Sequence, residues 1–168
     1  MNTSKTTALI ITGLITIAIV LFIIQLLLRK LRRRSELNNK LKLSYGIWFS
    51  ALFIAAVLVT AKSIVVLVES IDNVYKINFI NPVAEIAKAT SLFTGLSAVW
   101  FLIWYFIANL LSVLITGNRN EVNEMEADNY VYFLIKGILF IGYILCLLPI
   151  FETLLRAFMP SVELPFYH

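Results

Sequence analysis

The run ALIITGLITIAIVLFIIQLLL, residues 8–28, leads directly into RKLRRR, residues 29–34. The first segment has no charged side chain, and Gln25 is its only strongly polar one. Its 21 residues, at about 1.5 Å of rise each, match a hydrocarbon layer roughly 30 Å thick. The second segment puts five cations into six positions. A cleaved leader has a charged start, a shorter apolar stretch and a small-residue cleavage site. Here only Lys5 precedes the run, and no such site follows it. The pair therefore reads as a retained transmembrane helix whose cationic end faces the cytoplasm.

Three more stretches behave alike. Residues 43–68 are apolar apart from Lys62 and scattered Ser and Thr. No charge occurs between Lys88 and Arg119, which predicts a third span over 91–116. The fourth, 131–158, carries Lys136 near one end and Glu152 and Arg156 near the other. The whole composition agrees: 60% of the 168 residues are hydrophobic and 14% are charged, against roughly 45–50% and about 25% in soluble domains. The chain is an all-α, four-span membrane bundle in one domain, with no soluble domain. One cysteine, Cys146, and one histidine, His168, exclude a disulfide, a Cys-based metal cluster and a Ser-His-Asp triad within the chain. No cofactor and no catalytic group is expected, and the chain does not read as an enzyme.

Four spans starting from an inward 29–42 loop place 117–130 inside as well, with both termini outside, in a plasma membrane. Asn81-Pro82 is a helix-start signal, a capping side chain followed by proline at the first helical position. The helix beginning there either lies on the outer interface before turning into the third span or runs straight through.

Shifting the chain by 90 residues lays the second span over the fourth. It also aligns Glu36 and Asn39 with Glu126 and Asn129, a Glu-x-x-Asn before each inward-starting span. An even shift in four spans predicts two parallel hairpin repeats. On these residues the chain resembles the YjfL-type family of small inner-membrane proteins, over about 8–156. The resemblance implies the four-span fold and the bacterial inner membrane, and no chemistry. The simplest role for these polar residues is to cap the helices they precede.

The two inner loops have opposite charge. Residues 29–42 carry Arg29, Lys30, Arg32, Arg33, Arg34, Lys40 and Lys42 against Glu36, while 117–130 carry Glu121, Glu124, Glu126 and Asp128 against Arg119. The basic loop suits anionic headgroups and the acidic one suits water. Alternatively the two pair, within a chain or between subunits. Nucleic acid is not expected as a partner, because no aromatic residues interleave the cations.

Charges within a span point more strongly to function. Lys136 is expected to snorkel to the inner surface. Lys62 and Glu69 are seven apart on one helix face, and Glu152 and Arg156 are four apart in the favourable acid-first order. With the carbonyl that Pro149 frees, they predict an outer polar cluster, either an ion-pair clasp or a pore mouth. The neutral central third of every span argues against a proton relay or an ion-coupled transporter.

Small residues four apart in the second span, Gly46 with Ser50, Ala51 with Ala55 and Ala56 with Thr60, permit close helix packing. They predict a central second span. The aromatic third span, with Trp100, Phe101, Trp104, Tyr105 and Phe106, is expected outside it. The sequence thus favours a homo-oligomeric membrane protein, forming a pore or the membrane component of an envelope, stress or defence system. The alternative is a non-conducting scaffold that docks a cytoplasmic partner through its two inner loops.

Overall fold

The structure, a computed structural model, describes residues 3–37, 40–77 and 81–159, with side chains for 6–35, 41–77 and 81–159. The side chains of Glu36, Asn39 and Lys40 lie outside that set.

Four long helices make the bundle: α1 (Thr3–Ser35), α2 (Leu43–Ile77), α3 (Pro82–Thr116) and α5 (Tyr130–Ala157), with the short α4 (Glu121–Glu126) between the last two. All four long helices have the length and hydropathy of membrane spans. Between α1 and α2 lies a two-residue antiparallel ladder, β1 (Glu36–Leu37) with β2 (Lys40–Leu41), pairing Glu36 with Leu41 and Leu37 with Lys40.

Helix starts follow the capping chemistry. The Ala84 N–H donates to Asn81 Oδ1 at 3.3 Å ahead of Pro82. The Val122 N–H donates to Asn120 Oδ1 at 3.0 Å, and the Tyr132 N–H to Asn129 Oδ1 at 3.2 Å. Asn129 therefore caps α5, as expected. Gly117 ends α3 at a φ of 77°, a left-handed conformation open to glycine, with its N–H on the Val113 carbonyl. Of the two courses open after Pro82, α3 takes the straight one. It is continuous for 35 residues, about 52 Å at 1.5 Å per residue.

α2 is central, packing on α1, α3 and α5. α3 is not peripheral, contrary to the expectation from its aromatics: it too packs on α1, α2 and α5. The reason is rotational phase. Phe93, Phe101 and Tyr105 share its inner face with Thr94 and Ser97, while Val99, Ile103 and Phe106 are exposed. Membrane helices gain little from hydrophobicity against lipid and must associate by shape, and these rings supply it. Trp48, wholly buried on α2, has ring centroids of Tyr105, Phe133 and Phe140 within 6.2–6.3 Å. Phe101 meets Phe140 edge-on at 5.6 Å, a favoured aromatic geometry.

α2 and α5 run parallel and come close together where Ala51 meets Gly137. A β-carbon built on Gly137 would lie 2.7 Å from Ala51 Cβ. Ala51, Ala55, Ala56 and Thr60 are buried, but Gly46 and Ser50 are exposed. Only part of the expected packing stripe is therefore used inside the chain.

Candidate functional site

The polar side chains gather at the two ends of the bundle. At the end where α1 stops and α2 and α5 begin, the two loops interlock. Arg34 pairs with Glu126 at 2.9 Å. Lys42 Nζ donates to the carbonyls of Arg34, Met125 and Glu126 at 3.2, 3.3 and 2.8 Å, closing the C-terminal ends of α1 and α4 with one cation, as helix polarity favours. Asp128, itself at a φ of 51°, accepts the Ser44 N–H at 2.9 Å. A residue 84 positions away thus caps α2. Hydrogen bonding to Ser44 holds the Asp128 carboxyl below its usual pKa. The Ser44 hydroxyl in turn donates to Met125 Sδ at 3.2 Å. Basic and acidic loops therefore do pair within the chain.

Glu124 organises the acidic loop locally, accepting from Asn129 Nδ2 at 2.6 Å and meeting Arg119 at 3.4 Å. Arg29, Lys30, Arg32 and Arg33 are exposed.

Lys136 departs from the sequence expectation. It does not snorkel: its side chain is 0% exposed and ion-paired with Glu121, with Nζ 4.7 Å from the Trp48 ring centroid and 5.9 Å from that of Tyr132. The physical reason is register. Lys136 sits three residues after Phe133 and four before Phe140, on the buried face of α5. Glu121, at the start of α4, reaches down to neutralise it, and the ring faces add cation–π attraction. This buried pair with its aromatic seat is the chief residue set that sequence reasoning missed. The signal was the 3–4 spacing to two phenylalanines.

At the other end the four residues expected as an outer polar cluster do come together. Lys62 pairs with Glu152 at 2.8 Å. Arg156 grips Glu69 through both terminal nitrogens at 2.5 and 3.1 Å and Glu152 at 3.0 Å. Two cations and two carboxylates alternate in one chain of contacts that ties α2 to α5, each 26–43% exposed. Pro149 does not join them. It and Leu145 lie on the exposed face of a continuous α5.

Between the ends, polar groups serve packing. Thr16 of α1 and Thr94 of α3 share a buried hydrogen bond of 2.9 Å. Ser63 donates to the Phe93 carbonyl across α2 and α3 at 3.3 Å. Among the described residues no three His, Cys, Asp or Glu side chains gather as a metal site. No protein-family model, curated protein or solved structure matches the chain.

Proposed function

We propose that the chain is a non-conducting membrane scaffold whose loop end, facing the cytoplasm, docks a protein partner. The observation that carries this reading is the interlocked loop surface. Arg34–Glu126, Lys42 on three carbonyls and Asp128 on Ser44 fix two loops into one shape, at a cost in side-chain ordering that lipid contact alone does not require. The bundle interior supports it too. Aromatic rings fill the space around Trp48, and the clasp residues pair with one another. The basic residues that end α1 supply the orientation by the positive-inside rule, and the four-span bundle is the fold that kinship with the YjfL-type family would require.

A second reading has its own observation. Gly46, Ser50 and Gly137 border an outward-facing groove of about 440 Å³ between α2 and α5, where small residues let another helix approach. A second copy seated there would build a homo-oligomer, and any pore would follow its axis, as the membrane component of a larger envelope or defence system.

Liposomes holding only the purified protein separate the two. The scaffold reading expects them to stay tight to ions. It further expects that a photo-cross-linker at exposed Asn123 in native membranes captures one soluble protein, and that Glu126→Arg abolishes the capture. Protein-dependent flux that changes with Lys62→Ala or Glu152→Gln overturns it in favour of the pore.

A further inference from the structure

Not all the cations at the loop end are used by the fold. Arg34 is held by Glu126 and Lys42 by backbone carbonyls. Arg29 and Arg33, four apart on one face of α1, instead border a groove of about 340 Å³ between α1 and α2. Its remaining walls are Phe22, Gln25 and Leu26 from α1 and Tyr45 and Phe49 from α2, with Arg32 and Leu28 beside them. No carboxylate is among these lining residues. A concave site with the guanidinium groups of Arg29 and Arg33 at one end and no acid among its described lining residues calls for an anion, and Arg supplies forked donors suited to phosphate.

The same groove is apolar at the other end. Tyr45, Phe49 and Phe53 stack in a ladder with centroids 6.4 and 6.2 Å apart. Deeper in the membrane a second hollow of about 280 Å³ continues along the same two helices, lined by Ile17, Leu21, Phe53, Val57 and Ile64. From Arg29 back to Ile17 is about 18 Å at 1.5 Å per residue, more than half of a roughly 30 Å hydrocarbon core. The ligand must therefore be anionic at headgroup level and apolar over one leaflet's depth.

We propose that this groove is a specific site for one anionic phospholipid. Its phosphate sits on Arg29 and Arg33, and an acyl chain lies along Phe22, Leu26 and the Tyr45–Phe49–Phe53 ladder. The site differs from diffuse attraction of a basic loop to a charged surface, because Lys30 carries the same charge at the same depth but does not border the groove.

The test is native mass spectrometry of the full-length protein from detergent with phosphatidylglycerol, phosphatidylcholine or inorganic phosphate added. One phosphatidylglycerol is expected to be retained per chain in preference to phosphatidylcholine, and inorganic phosphate in excess should not displace it. A direct charge-assisted contact contributes about tenfold, so Arg29→Gln with Arg33→Gln should weaken retention by about 100-fold, while Lys30→Gln, which removes a charge outside the groove, leaves it unchanged. Phe49→Ala, which keeps every charge, should weaken phosphatidylglycerol as well. Equal retention of the two lipids, equal loss on Lys30→Gln, or displacement by phosphate alone would each overturn the proposal.

Discussion

Ala51 on α2 and Gly137 on α5 meet so closely that a single β-carbon on Gly137 would stand 2.7 Å from Ala51 Cβ. This close approach lies within the parallel pair that joins Trp48 to Phe133 and Phe140. Gly137→Ala should overpack it by about 1–3 kcal/mol, read as a lower melting temperature in detergent. Adding Ala51→Gly should return most of the loss. No rescue would mean that Gly137 matters for something other than this contact.

Removing either member of the Lys136–Glu121 pair should not be equivalent. Glu121→Gln strands a fully buried ammonium, and breaking buried pairs costs about 3–5 kcal/mol; because Glu121 is 30% exposed, about 2–3 kcal/mol is the better expectation. Lys136→Met fills similar volume and leaves Glu121 where water reaches it, so it should cost less. Unfolding by denaturant of both single variants and the double variant gives the coupling. An equal loss from the two singles would contradict the buried-charge account.

The Asp128 cap gives a pH dependence with a definite sign. Its carboxyl titrates below its ordinary value because of Ser44. The stabilisation is therefore present above the unfolded pKa of about 3.9 and disappears as pH falls through the lower folded value. Asp128→Ala should cost about 0.5–2 kcal/mol at neutral pH, the usual range for a lost cap. Asp128→Asn should keep much of the cap, tolerate the left-handed backbone and flatten the acid limb of a stability–pH curve.

The clasp should respond to salt. Its four members are partly exposed, so the pairs are screened as ionic strength rises. Wild-type melting should fall slightly with added salt, and Arg156→Gln, which removes contacts to both carboxylates, should erase most of that dependence. A large loss of stability in the variant would show that the clasp holds more than its screened charges.

Four spans and their order were legible because length and hydropathy alone decide them in a bilayer. Their limits were less so. The apolar core of the second span stops near Val68, but α2 continues to Ile77, since Glu69, Asp72 and Lys76 can leave the hydrocarbon without breaking helical hydrogen bonds. Lys62, Glu69, Glu152 and Arg156 were legible as a set because helical spacing puts each pair on one face. Lys136 was misread because depth suggested an exit to water, whereas helix rotation determines which way a side chain points. Asp128 on Ser44 was not legible at all. Capping signals are local in sequence, and this cap comes from 84 residues away.

α2 and α3, at 35 residues each, are about 52 Å long, and fitting that length into a 30 Å core by tilt alone would need about 55°, beyond the observed range of roughly 0–40°. The surplus must emerge on at least one side as bare helix. On the clasp side that surplus carries Glu69, Lys76, Glu85 and Lys88. Among the described residues the molecule therefore meets the aqueous space there as paired helix ends, and the charges it presents are set by helical register.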